Sequence, residues 1–116
     1  MIAFMYDSDT AGRTESLLRS AGITGKYRGY WYLVCGADLI LEDPARLFLI
    51  TKGLYRDIAR VYETTPGAVE RGIRTAIQGG WEHGDRAAFA SLMGYLPKDC
   101  PSNSEFLDSI VHRIRR

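Results

Sequence analysis

The chain has 116 residues, 46% of them hydrophobic and 25% charged, which describes one globular domain able to bury its own core and excludes a disordered chain. Its formal net charge is only +1, so no overall basicity announces a nucleic-acid binder, and any argument for DNA must rest on where the charges sit. Two cysteines, Cys35 and Cys100, make no disulfide framework, and with His83 and His112 they show no metal-ligand spacing.

Met1–Tyr6 is apolar but stops at Asp7, with no basic segment before it. That is too short for a signal peptide, and no run approaches the ~20 apolar residues of a membrane span. The expectation is a cytoplasmic protein without a membrane partner. Residues 1–13 read as a lead-in, in which Ser8, Asp9 and Thr10 offer caps, and residues 14–116 as the domain. Leu17, Leu18 and Ala21 fit one helical face, and Gly22 ends it. Tyr30, Leu33, Val34, Ala37 and Leu41 recur at helical spacing. A strand over Tyr30–Cys35 suits the aromatics and valine, but no alternating partner strand appears, so a helix is preferred. Cys35 lies in this apolar stretch and reads as a buried small hydrophobe.

Asp43-Pro44 is a helix-start signal, Asp as cap and Pro at the first helical position. The pattern predicts a helix from there to Tyr62, loosened near Gly53. Thr64-Thr65-Pro66 repeats the signal, with Thr65 as cap, and the next helix runs to about Glu82, closed by His83-Gly84. Asp85 caps a short helix through Leu92; Gly94–Ser102 is a loop broken by Pro97 and Pro101; Asn103 or Ser104 starts a last helix. The expected fold is all-α, a six-helix orthogonal bundle.

Leu54–Gln78 carries the function. Ile58 and Ala59 face the core, Glu63-Thr64-Thr65 makes a turn, and Val69, ten positions after Ala59, anchors a second helix with Ile73. That spacing belongs to a helix-turn-helix, whose second helix enters the major groove. At ~100° per residue, Val69, Ile73, Ala76, Ile77 and Gly80 fall on one side of this helix. Gly67, Arg71, Arg74, Thr75 and Gln78 fall on the other, with Glu70 at the boundary. Arginine can contact guanine bidentately and a carboxylate can accept from the cytosine amino group. Arg56 and Arg60, on the first helix, and Gln78 are candidates for backbone contacts, which position without reading sequence. An amphipathic helix with a solvated charged face satisfies the same pattern, and the turn lacks its usual glycine, carrying Glu63.

The run Ile50-Thr51-Lys52, Leu54-Tyr55, Ile58-Ala59, Tyr62, Thr64-Thr65, Val69-Glu70-Arg71, Ile73-Arg74, Ala76-Ile77 and Trp81 closely resembles the C-terminal effector-domain family of the sporulation response regulator, stage-zero sporulation protein A. The likeness continues through Gly84, Leu92 and Gly94-Tyr95 to Ser102-Asn103-Ser104-Glu105-Phe106, and covers roughly Thr14 to Arg113. It implies a six-helix domain that binds a short G/C-containing promoter element and contacts RNA polymerase. It also implies that Glu70, Arg71 and Arg74 lie at base edges, with Thr75 where the family usually has histidine. Asp85–Tyr95 corresponds to the region that meets the polymerase sigma subunit, so Phe89 and Met93 are candidate polymerase contacts. A homodimer on DNA is a further partner expectation, since a two-fold operator needs two copies.

The departures have consequences. After Pro66 the family carries serine and arginine, and this chain has Gly67 and Ala68. A lost arginine removes a guanine contact worth ~1–3 kcal/mol of discrimination. Residues 1–13 cannot hold the family's phospho-receiver domain, so the expected protein lacks one. These departures motivate the alternative, a protein-interaction module that modulates a full-length regulator or RNA polymerase. Gly79-Gly80 weakens a helix interior unless another helix approaches closely. Trp81 is expected in the core rather than on a base, and Tyr27, Tyr30, Trp31 and Tyr32 in core or rim packing. Arg113, Arg115 and Arg116 either complement the last helix's dipole or touch the DNA backbone. No nucleophile, base and orienting group converge and no phosphate loop appears, so neither an enzyme nor a cofactor is expected.

Overall fold

A computed structural model describes residues 8–49 and 53–115. Met1–Tyr6, Asp7, the Ile50-Thr51-Lys52 part of the family motif and Arg116 lie outside the described residues. Among those described, six α-helices, one 3-10 turn and a π-helical turn at Gly53-Leu54 make up the fold, with no strand. The helices are α1 (Ser8–Ser20), α2 (Arg28–Glu42), α3 (Tyr55–Tyr62), α4 (Pro66–His83), α5 (Arg86–Met93) and α6 (Asn103–Arg115).

Helix α1 starts earlier than the capping residues suggest. Asp9 and Thr10 are inside it, and Ala11 is buried. It ends as the sequence predicts. Gly22 is left-handed at φ 82°, and the N–H groups of Gly22 and Ile23 return to the carbonyls of Arg19 and Leu18 at 3.0 and 2.9 Å. Two backward bonds around a left-handed glycine satisfy the carbonyls a helix end leaves open. Leu18, Ala21 and Ile23 are fully buried beneath this turn.

The aromatic stretch forms α2, the buried centre of the molecule. Tyr30, Leu33, Cys35 and Ala37 have no exposed surface, and α2 packs more extensively against α4 than any other pair of helices. Glycine makes the crossing close. A Cβ on Gly29 would fall on the carbonyl of Gly72, and one on Gly72 would meet the Tyr32 ring at 2.9 Å. Burial also dominates the chemistry of Cys35, whose thiol is pushed up to about 12 by desolvation, with the charges of Asp38 and Asp57 acting the same way.

The continuous helix expected from Pro44 to Tyr62 is not formed. Asp43 caps a 3-10 turn, Pro44–Leu47, by accepting from the Ala45 N–H at 3.2 Å. The backbone then widens, and the Leu54 N–H reaches back five residues to the Leu49 carbonyl at 3.2 Å. Leu47, Phe48 and Leu49 are consecutive, and a single helix face cannot bury three neighbours in a row. Phe48 and Leu49 are accordingly exposed. Loosening at Gly53 is thus real, and it takes the form of a π-helical turn at Gly53-Leu54 that leads directly into α3.

The remaining helices follow their caps. Thr65 accepts from the Ala68 N–H at 3.1 Å, and Pro66 occupies the first turn of α4. Asp85 accepts from the Ala87 N–H at 2.8 Å to start α5, which Gly94 ends at φ 83°. Helix α6 begins at Asn103, behind a reciprocal pair. The Ser102 hydroxyl accepts from the Glu105 N–H at 3.2 Å, and the Glu105 carboxylate accepts from the Ser102 N–H at 3.0 Å, closing a capping box. Hydrogen bonding from both Ser102 groups holds the Glu105 carboxyl below its usual range.

Candidate nucleic-acid interface

Helices α3 and α4 are joined by Glu63-Thr64-Thr65. The turn closes without glycine because Glu63 itself takes the left-handed conformation, φ 54° and ψ 49°. Its N–H and that of Thr64 both donate to the Ala59 carbonyl. Ala59 and Ile58 are buried, as are Val69 and Ile73 at the start of α4. The helix–turn–helix spacing read from the sequence is therefore occupied by a helix, a tight turn and a longer helix.

The rotation of α4 falls as its periodicity predicts. Val69, Ile73, Ala76, Ile77 and Gly80 are buried, joined by Trp81. Gly67, Arg71, Arg74, Thr75 and Gln78 are exposed, and Glu70 is intermediate between the faces. Two of the candidate base-reading groups are paired with each other. The Arg74 guanidinium donates to both Glu70 carboxylate oxygens, one of them at 3.0 Å. An exposed i,i+4 pair contributes about 0.3–0.5 kcal/mol, little enough for a better partner to displace. Arg71 lies along the same face, and a Cβ on Gly67 would meet its Nη1 at 3.3 Å. The small residue at position 67 thus leaves room for the Arg71 guanidinium over the first turn of α4.

On α3, Arg56 and Arg60 are both exposed, one helical turn apart. Arg60 lies 3.8 Å from Asp57, whose other oxygen accepts from Arg46 at 3.3 Å. Asp57 therefore ties the 3-10 turn to α3 while partly offsetting the charge of Arg60. Sequence reasoning missed this acidic residue, and it also missed Asn103. The Asn103 amide nitrogen donates to the Tyr55 hydroxyl at 2.9 Å and to the Glu70 carbonyl at 3.1 Å. These bonds join α6 to the start of α3 and to α4. The Ser102-x-x-Glu105 signature places Asn103 at a helix start, but its partners are distant in sequence.

The other candidates separate. Phe89 is fully buried, edge-on to Trp81 at 5.4 Å between ring centres and beside Phe106 at 5.6 Å. A direct contact between Phe89 and polymerase is closed off in this conformation, because the ring fills the core. Met93 is half-buried, and Tyr95 and Leu96 beyond it are exposed. Trp81 is a core residue as expected, and the Arg86 guanidinium covers its face at 3.8 Å. Tyr30 and Tyr32 are buried, whereas Trp31 is exposed at the rim. Arg113 stands in the basic last turn of α6, as expected, and its side chain reaches a further partner. Its Nε donates to the Leu92 carbonyl at 3.0 Å and its Nη2 to that of Ser91, so it also caps the end of α5. Gly79 and Gly80 are approached not by another helix but by the segment after α1. A Cβ on Gly80 would meet the Ile23 side chain and the Ala21 carbonyl, and one on Gly79 the Tyr27 ring.

Among the described residues no three His, Cys, Asp or Glu side chains come together to hold a metal ion, and no helix is long and apolar enough to cross a membrane. A family model described as sporulation initiation factor Spo0A C terminal matches residues 14–114.

Proposed function

The chain belongs to the family of Spo0A C-terminal domains, DNA-binding regulators of sporulation rather than enzymes, and from that premise we propose that it is a sequence-specific transcription regulator whose helix α4 enters the major groove of a promoter. Glu70, Arg71, Arg74 and Thr75 read base edges in this proposal, while Arg56, Arg60 and Gln78 contact the phosphate backbone. One observation carries the reading: α4 seals a continuous apolar face into the core and turns Arg71, Arg74, Thr75 and Gln78 outward together. The working unit is the domain over residues 14–116, and it acts on DNA in the cytoplasm. Met93, with exposed Tyr95 and Leu96 beside it, is the surface we assign to the RNA polymerase sigma subunit. Two copies would meet a two-fold element with half-sites about 34–36 Å apart.

Gly67 and Ala68 offer no polar side chain to DNA, so the family's element is expected to be read with less discrimination at the positions those residues would contact. The test is fluorescence anisotropy at one fixed salt concentration, comparing a duplex bearing the family's promoter element with a scrambled duplex. A preference of about tenfold or more, ~1.4 kcal/mol, supports a sequence-reading regulator. Equal weak binding to both overturns it and leaves a protein-interaction module, to be sought by capture on a full-length regulator or on polymerase.

A further inference from the structure

We propose that Asn103 is a positioning residue for the DNA-reading helix, setting the roll at which α4 presents Glu70, Arg71 and Arg74. The inference rests on the reading of α4 given above and adds a residue on another helix to it. The capping box of Ser102 and Glu105 consumes the backbone needs of the α6 start, so the side chain of Asn103, the first residue of α6, is free to reach away from its own helix. One amide nitrogen carries two hydrogens, and both are used, one on the Tyr55 hydroxyl and one on the Glu70 carbonyl.

The Glu70 carbonyl marks where α4 turns from buried to exposed, since Val69 has no exposed surface and Arg71 is exposed. A backbone carbonyl has two lone pairs, so it can accept the amide as well as its own helical bond. A bond at that point resists rotation of α4 about its axis. The second bond anchors the amide to Tyr55, itself buried at the start of α3. The Tyr55 hydroxyl feels the charges of both Glu70 and Arg74, and desolvation raises its pKa. Half-buried Asn103 and buried Tyr55 thus form a brace beside the Glu70–Arg74 pair. Reading groups need support of this kind, because base edges discriminate only when side chains are held within a fraction of an ångström.

The experiment compares Asn103→Ala, the near-isosteric Asn103→Asp and Tyr55→Phe with the natural chain on the element-bearing and scrambled duplexes at several salt concentrations, with thermal melting of each variant as a fold control. Asn103→Asp cannot donate to the Glu70 carbonyl and so should behave like Asn103→Ala. Both should lower the preference for the element about three- to tenfold, the size of one or two net hydrogen bonds, while in Asn103→Ala, which adds no charge, affinity for the scrambled duplex and the salt slope stay unchanged. Tyr55→Phe keeps the Glu70 bond and should show a smaller fall in the same direction. An unchanged preference in folded Asn103→Asp overturns the proposal. Equal weakening on both duplexes in step with a lowered melting temperature also overturns it, since that is a merely structural role. Equal binding of both duplexes by the natural chain overturns the DNA reading itself, and the brace with it, before any variant is compared.

Discussion

Glu63 holds the left-handed conformation at φ 54°, and among the described residues the others with positive φ are glycines. An L-residue there costs roughly 1–2 kcal/mol, and glycine removes that cost while giving the unfolded chain about 0.4–1 kcal/mol more entropy to lose. Glu63→Gly should therefore stabilise the domain by about 0.5–1 kcal/mol in urea unfolding, and Glu63→Val, β-branched, should destabilise it. A drop in stability for Glu63→Gly would mean that the Glu63 side chain supports the turn. The missing turn glycine was visible in the sequence; that glutamate would take over its backbone conformation was not, since only closure onto Ala59 demands it. Glu105 gives a pH prediction. Its folded pKa is lowered by the bonds to Ser102, so its contribution is present above the unfolded value, near 4.5, and is lost as pH falls through the folded value. Glu105→Gln keeps the capping box. The stability gap between the natural chain and this variant should shrink as pH drops below about 4.5, and a pH-independent gap would remove the carboxylate from the account.

At the scale of elements, the crossing of α2 and α4 is set by Gly29 and Gly72. Alanine at 29 drives a Cβ into the Gly72 backbone, which has no rotamer to change, whereas alanine at 72 meets a Tyr32 ring that can tilt. Gly29→Ala should cost about 3 kcal/mol by separating the helices, and Gly72→Ala about 1 kcal/mol; equal small costs would show the crossing to be loose. Arg113→Ala should cost about 1–2 kcal/mol through the open carbonyls at the end of α5, and exchange of the α5 amides would locate the loss. Helix α4 was legible in full because its cap, its proline and its apolar period agree. The segment from Pro44 to Tyr62 was not. Its start signal at Asp43-Pro44 is genuine, but Phe48 and Leu49 break the period, and tertiary packing chose a 3-10 turn. The further role of Arg113 was equally hidden, because the carbonyls it caps lie 21 and 22 positions earlier in the chain.

Over the whole molecule, a net charge of +1 hides an uneven distribution. Arg56 and Arg60 are exposed on α3, the helix before α4, and on the proposed reading each phosphate neutralised releases counterion. Arg56→Ala should make the dependence of log affinity on log salt shallower by about 0.9, the share of one phosphate contact, and weaken element and scrambled duplexes alike. Arg71→Ala should instead lower the preference for the element. Identical profiles for the two variants would argue that α4 does not read bases. The outward face and the identity of its residues could be read from spacing, whereas the brace from Asn103 could not, because nothing local connects position 103 with positions 55 and 70.

The burial of Cys35 gives the molecule an internal clock. Thiolate is the reactive form of cysteine, and a thiol held near 12 inside α2 cannot be alkylated while the helix stays packed. Cys100, half-buried in a loop, supplies a second thiol on a different schedule. The rate at which Cys35 takes up an alkylating reagent therefore counts openings of the core, and it can be followed by mass alone. Adding DNA should slow that count if the duplex binds only the folded domain, so occupancy could be timed without a label on either partner.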